Sequence, residues 1–269
     1  MELDSLKMFY HYTAKALKAR TQYKFDALFS ALAVFAREST TIVVIYLTLQ
    51  KFNSIGGWNL NELLFLFSLI FLTYSILIIF FTGLRDFQNN ILKGEFDRTM
   101  VRPRGLLFQL IAYNSDWIAA FGHGILGIVL FIVTANNVGI TWDFKTVIYY
   151  IFSIIGGVLI QGAIFLFFAS LNFFFVKTDN IKGVFYWNVR RFAGYPISIF
   201  NKAIQFVLIY VVPFAFVNYF PCQYLLRKED MALYPEIFMY LAPFVGVGLY
   251  LLAYAFWRFS VRFYKSTGN

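Results

Sequence analysis

The chain has 269 residues, of which 60% are hydrophobic and only 14% charged. Soluble domains are about 45–50% apolar and about 25% charged, so this composition excludes a water-soluble globule and calls for a bilayer. The net charge of +9 does not point to nucleic acid, because the basic residues fall in alternate loops, as orienting charges do.

In chain order, the first element is an amphipathic helix expected over 1–24, lying in the cytoplasmic interface ahead of a six-span unit over 25–269. Leu6, Tyr10, Thr13, Ala14 and Leu17 recur at helical spacing, with Lys7, His11, Lys15 and Lys18 on a neighbouring stripe. A cytosolic extension of the first span is the plainer alternative. Basic residues spread through this stretch do not fit a secretory signal peptide.

Six apolar segments are long enough to cross about 30 Å of hydrocarbon as helices: Ala27–Gln50, Leu63–Gly83, Leu106–Val133, Val147–Val176, Ala203–Phe220 and Ile237–Trp257. Between them, 18 basic residues fall on one set of loops and four on the other. That asymmetry predicts an all-α, multi-pass protein with both termini in the cytoplasm. The stretch Val176–Pro196 is placed in the cytoplasm by this count.

Arg37 and Glu38 interrupt the first span. Counted inward from Lys51, Arg37 lies about 21 Å deep at 1.5 Å per residue, within snorkelling reach of the cytoplasmic edge. Successive helical residues point about 100° apart, so these two are not expected to pair with each other. Another span, Asp116 for instance, or a second subunit is the candidate partner for Arg37. Charges and polar groups within spans are gate, substrate or subunit contacts, or structural hydrogen-bond glue; Arg37, Glu38, Asp116, His123, Gln161 and Asn172 form that set. Gly122, Gly124 and Gly127 beside His123 point to close helix packing. The many aromatics face lipid and neighbouring helices or line a route for a flat substrate.

Between the second and third spans lies LKGEFDRTMVRPRG, Leu92 to Gly105. Leu84, Phe87, Ile91 and Leu92 share helical spacing, and Gly94, Pro103 and Gly105 mark breaks. Acidic Glu95 and Asp97 alternate with Lys93 and Arg98. Mixed charge beside apolar anchors suits docking to a soluble partner; a solvated loop obeying the positive-inside rule is the plainer alternative. After the fifth span, VVPFAFVNYFPCQYLL (Val211 to Leu226) is apolar but broken by Pro213 and Pro221. It reads as a helix dipping back into the outer leaflet or as a kinked span end.

Two His and a single cysteine, Cys222, give no basis for a metal site or an internal disulfide. No GxxxxGK[ST] loop is present, so ATP chemistry would belong to another chain. Paired catalytic groups for an intramembrane enzyme are also missing.

GEFDRTMVRP (Gly94 to Pro103), YPISIF (Tyr195 to Phe200) and VVPFAFVNYFP (Val211 to Pro221) together resemble the ABC-2-type permeases, in particular six-span bacterial exporter subunits working with a separate ATPase. The resemblance implies that Arg85, Phe87, Ile91, Lys93, Gly94, Glu95, Phe96, Asp97, Arg98, Arg102 and Pro103 form a coupling helix seated on the ATPase. It further implies a dimer with the same or a related permease, two ATPase copies carrying ATP and Mg, and a site in the bacterial inner membrane. Substrates of such proteins are hydrophobic, cationic, peptide or lipid-like. A membrane scaffold or immunity protein, needing no ATPase dock, is the alternative.

Overall fold

The computed structural model describes residues 2–22, 24–175, 177–228, 230 and 234–266. Among these the fold is all-helical, with no sheet; an isolated bridge joins Ile55 to Trp58. Five helices are long and apolar enough to cross a membrane, and a bent pair brings the candidates to six. The chain is a multi-pass membrane protein.

The first four helices are α1 (Glu2–Thr21), α2 (Lys24–Lys51), α3 (Leu60–Arg85) and α4 (Phe87–Leu92). Then come α5 (Glu95–Met100), α6 (Leu106–Tyr113), α7 (Trp117–Ala135) and α8 (Phe144–Leu171). The remainder are α9 (Asp179–Lys182), α10 (Val189–Phe192), α11 (Lys202–Phe206), α12 (Tyr219–Leu226) and α13 (Ala242–Ser260). The long helices start where their caps say they should. Asn59 and Glu62 close a reciprocal capping box on α3, and Asp143 accepts from the Thr146 amide at the start of α8.

α3 lies at the centre, packed on α7 and α8, and α8 packs along α13. The α8–α13 crossing depends on glycine. A Cβ at Gly156 would lie 2.5 Å from the Ala242 carbonyl carbon, and one at Gly246 would lie 2.7 Å from the Gly156 carbonyl oxygen. Small residues let helix backbones approach where lipid offers no hydrophobic drive for association.

The third expected segment, Leu106–Val133, is two helices. The chain breaks at Asn114–Asp116, where the Asp116 amide leaves the helical ladder and donates to the Ile78 carbonyl at 3.3 Å. The membrane-length helix is therefore Trp117–Ala135. α6 lies against α3 at Gly83, where any side chain would strike the Leu110 carbonyl. The break falls on a run of three polar residues, Asn114, Ser115 and Asp116, with apolar stretches on both sides that read as one continuous span. α8 stops at Leu171, short of the expected Val176, which lies outside the described residues.

The fifth expected segment, Ala203–Phe220, is not one straight helix. Lys202–Val211 and Phe214–Leu226 are bent by 74° at the Val212–Pro213 break. Proline supplies no amide donor to the ladder and clashes with the preceding turn.

The residues before it also depart from expectation. Lys182 donates to the Arg85 carbonyl at the C-terminal end of α3. Trp187 meets Tyr74 edge to face midway along α3, and Gly194 packs against Phe67 nearer its start. Ser198 then bonds Asp230 and Ile199 packs on Gly56, both at the far end. The chain from Thr178 to Ile199 thus runs antiparallel to α3 along the whole bundle. It is not the one-sided loop expected for Val176–Pro196. Its regular helix is split by a π-helical stretch, Gly183–Asn188, between α9 and α10.

Candidate functional site

A cavity of about 890 Å³ opens between α2, α3, α7 and the 179–195 segment. Its lining runs along α3 from Arg85 to Phe67, about 27 Å at 1.5 Å per residue. Aromatic walls come from Phe67, Phe71, Tyr74 and Trp187. Five cationic side chains line it: Arg37, Arg85, Lys182, Arg190 and Arg191. Three carboxylates line it too: Glu38, Asp86 and Asp179.

Each carboxylate has a cation of its own. Arg37 donates to Glu38 Oε1 through Nη2 at 2.9 Å and Nε at 3.2 Å. The expectation that these neighbours would not pair is thus corrected: the long, flexible side chains bend round the helix despite their divergent Cα–Cβ directions. Arg85 forks onto both oxygens of Asp86 at 2.8 Å. Lys182 Nζ meets Asp179 Oδ1 at 2.6 Å.

Arg190 lies over the Tyr74 ring, its guanidinium carbon 4.3 Å from the centroid. Its Nε and Nη2 are buried without a hydrogen-bond partner. His123 is 2% exposed and meets the same ring edge-on at 4.7 Å, with Nδ1 also unpartnered. The glycines around His123 pack closely, Gly122 on Val34 and Gly124 on Ser75.

The other intramembrane candidates lie elsewhere. Asp116 caps α7, accepting from the Ala119 amide at 3.2 Å. Gln161 is fully buried, joining α8 to Tyr186 Oη at 2.8 Å and Thr73 at 3.2 Å. Asn172 accepts from Thr178 Oγ1 at 2.9 Å and donates to the Phe168 carbonyl. Arg37, Glu38 and His123 are brought together in the cavity, joined by Arg85. Sequence reading missed Tyr74, Trp187, Arg190 and Arg191 there. Trp187, Arg190, Arg191 and Gly194 stand at i, i+3, i+4 and i+7, a helical face that was available but was read as cytoplasmic charge.

The segment after α3 divides into two faces. Phe87, Ile91 and Phe96 are buried. The rings of Phe87 and Phe96 and those of Phe173, Trp257 and Tyr264 form one cluster, with Phe87–Phe96 at 5.1 Å and Phe96–Tyr264 at 4.9 Å. Gly94 turns the chain between α4 and α5 with φ of 66°, a conformation that costs glycine little. Lys93, Glu95, Arg98, Arg102 and Pro103 face outward. Beside them stand exposed Met100 and Val101, the latter 84% exposed, which sequence reading passed over. Asp97 belongs to the inner side, bonded to Tyr264 and Ser266. On α1, Lys7, His11, Lys15 and Lys18 are exposed while Thr13 is buried; Tyr10, expected on the apolar side, is 70% exposed. Phe9 stacks on Phe80 of α3 at 5.8 Å in its place.

At the opposite end, Asp230 accepts from Tyr219 Oη at 2.7 Å, Ser198 at 3.0 Å, Gln223 at 3.0 Å and Trp58 Nε1 at 3.2 Å. The cavity lining stops short of this knot. Among the described residues no group of three His, Cys, Asp or Glu could hold a metal.

A cationic groove thus runs up the bundle, with the exposed face of α5 beyond one end and the Asp230 knot beyond the other. The model of the ABC-2 family transporter proteins matches residues 35–268. The chain belongs to the ABC-2 transporter family. No curated protein and no solved structure matches it. Family members are membrane permeases, typically non-catalytic, and membership implies an ABC transporter assembly with an ATPase.

Proposed function

We propose that the chain is the membrane half of an ABC exporter, driven by a separate ATPase and working as a dimer with a second permease, the same or related. Two ATPase copies, holding ATP and Mg, dock on the outward face of α4 and α5. The observation that carries this is the two-sided build of that segment. Buried Phe87, Ile91 and Phe96 root it in the bundle, while Glu95, Arg98, Met100 and Val101 stand exposed beside each other. Such a face transmits force only if its root is rigid, and the aromatic cluster supplies that root.

In this reading the chain makes six crossings, the fifth from Thr178 to Ile199. The bent pair Lys202–Leu226 is then a hairpin that enters from the outer side and returns. Lys51, Lys145, Lys202, Arg227 and Lys228 fall outside, Arg37, Arg190 and Arg191 within, and the other Lys and Arg on the side of both termini. The positive-inside bias survives, so both termini are cytoplasmic, in a bacterial inner membrane. The cavity opens inward and the Asp230 knot closes the outer end.

The test is a mild-detergent pull-down of the full chain from its native membrane, with co-purifying proteins identified. A P-loop ATPase is the expected companion. Its absence, under conditions that retain other ABC complexes, would overturn the reading.

A further inference from the structure

Resting on the transporter reading, we propose that the cavity binds an anionic group carried on an apolar body, with Arg190 as the principal anion contact.

The charge balance carries this. Three of the five cations are spent on the three carboxylates, through Arg37–Glu38, Arg85–Asp86 and Lys182–Asp179. Among the described residues, Arg190 and Arg191 remain without a carboxylate. Arg191 is exposed on the cavity wall, whereas Arg190 has two buried nitrogens with no acceptor among the described residues. A buried charge left unpaired is costly, and a polar solvent only partly offsets it. The guanidinium fork matches a phosphate or carboxylate in two parallel hydrogen bonds.

Two further observations point the same way. His123 Nδ1 is a second buried, unpartnered nitrogen against the same Tyr74 ring. Tyr74 supports the guanidinium from one side through its π face, on a side chain that lines the cavity. Phe67, Phe71 and Trp187 continue the wall beyond the cations. They suit an apolar body better than a fully hydrated ion. A cationic substrate would meet a net positive wall.

The experiment uses the full chain in phosphatidylcholine nanodiscs, without ATPase, and calorimetric titration. The probes are phenyl phosphate, inorganic phosphate and phenyltrimethylammonium, with empty discs as the blank. Phenyl phosphate should bind about tenfold or more tightly than either of the others. Arg190→Gln should remove about tenfold or more of that affinity. Because it deletes an unpaired buried charge, it should leave the thermal midpoint of the unliganded chain unchanged or raised. Arg190→Lys should recover only part of the binding, because the fork is lost. Tighter binding of phenyltrimethylammonium would overturn the anion assignment, and equal binding of inorganic phosphate would overturn the apolar body. Unchanged binding in Arg190→Gln would overturn the role of Arg190. So would destabilisation of a dimer by Arg190→Gln, which would show the guanidinium to be paired across subunits. Phosphatidylglycerol discs that compete with phenyl phosphate would support a lipid headgroup as the anion; absence of competition would support a soluble solute. Since no ATPase is present, failure here is separate from failure of the pull-down.

Discussion

The Tyr264 hydroxyl donates to Asp97 Oδ1 at 2.8 Å, joining the last turn of the chain to α5 across 167 residues of sequence. Ser266 holds the other carboxylate oxygen at 2.6 Å. Hydrogen bonds from Ser266 and then Tyr264 hold the Asp97 carboxyl below its usual 3.8. A depressed carboxyl contributes stability above its unfolded pKa and loses it as pH falls through the folded one. The tie should therefore stay intact down to about pH 4 and loosen only below 3.8. Hydrogen exchange over Val261–Phe263 reads this directly. Asp97→Asn should raise exchange there at pH 7, while the parent chain shows the rise only in acid. Loosening of the parent between pH 5 and 6 would assign the tie to another group.

Because Asp97 is spoken for internally, the docking face should depend on its exposed neighbours. Glu95→Lys combined with Arg98→Glu should lower ATPase recovery about tenfold, since it reverses register-setting charges. Val101→Asp should act in the same direction by placing a charge in the apolar centre of the face. Asp97→Asn should retain the ATPase. Quantitative co-purification separates these cases, with membrane insertion measured in parallel. Loss of ATPase only in the Asp97 variant would mean that the C-terminal tie, rather than the exposed face, governs docking.

The α8–α13 crossing gives a sharp stability test. Gly156→Leu forces a side chain onto the Ala242 carbonyl, where backbone rather than a flexible side-chain end must give way. Overpacking of this kind costs about 1–3 kcal/mol or more. The purified variant should melt several degrees lower, or fail to accumulate. Gly183→Ala, with nothing within 4 Å of the added carbon, should behave as the parent. Equal behaviour of the two variants would show that the crossing is loose.

Much of this architecture was legible from composition and charge. Long apolar helices, the helical N-terminal segment, the break near Pro213 and the two-faced segment after α3 all follow from spacing, proline and glycine. What was not legible shares one cause. Asp179, Lys182, Arg190 and Arg191 lie in a segment that runs along the bundle, yet a charge count reads any such cluster as a loop. Their contacts are invisible in one dimension: Lys182 meets Asp179 and the Arg85 carbonyl, and Arg190 lies over the Tyr74 ring. Moving these residues still leaves the basic excess on one side, so the count does not distinguish the two arrangements. The Arg37–Glu38 pair was missed for a related reason, since side-chain reach is not fixed by Cα–Cβ direction.

That disagreement over 178–199 can be settled by labelling from one side of the membrane. The sole cysteine, Cys222, is fully buried, so it should give little background with an impermeant maleimide. Single cysteines replace Ser54, Lys177 and Lys202 in turn. Ser54 lies near the Trp58 end, and Lys177 near the Arg85 end. Lys202 lies three residues after Ile199, and Ser198 and Ile199 contact Asp230 and Gly56. If the chain crosses between Thr178 and Ile199, Ser54→Cys and Lys202→Cys label in intact cells and Lys177→Cys only after lysis. If the charge count alone were right, Lys202→Cys would join Lys177→Cys on the inside. The bent pair would then have to be the fifth crossing, and Arg190 would sit in the cytoplasm rather than in the cavity wall.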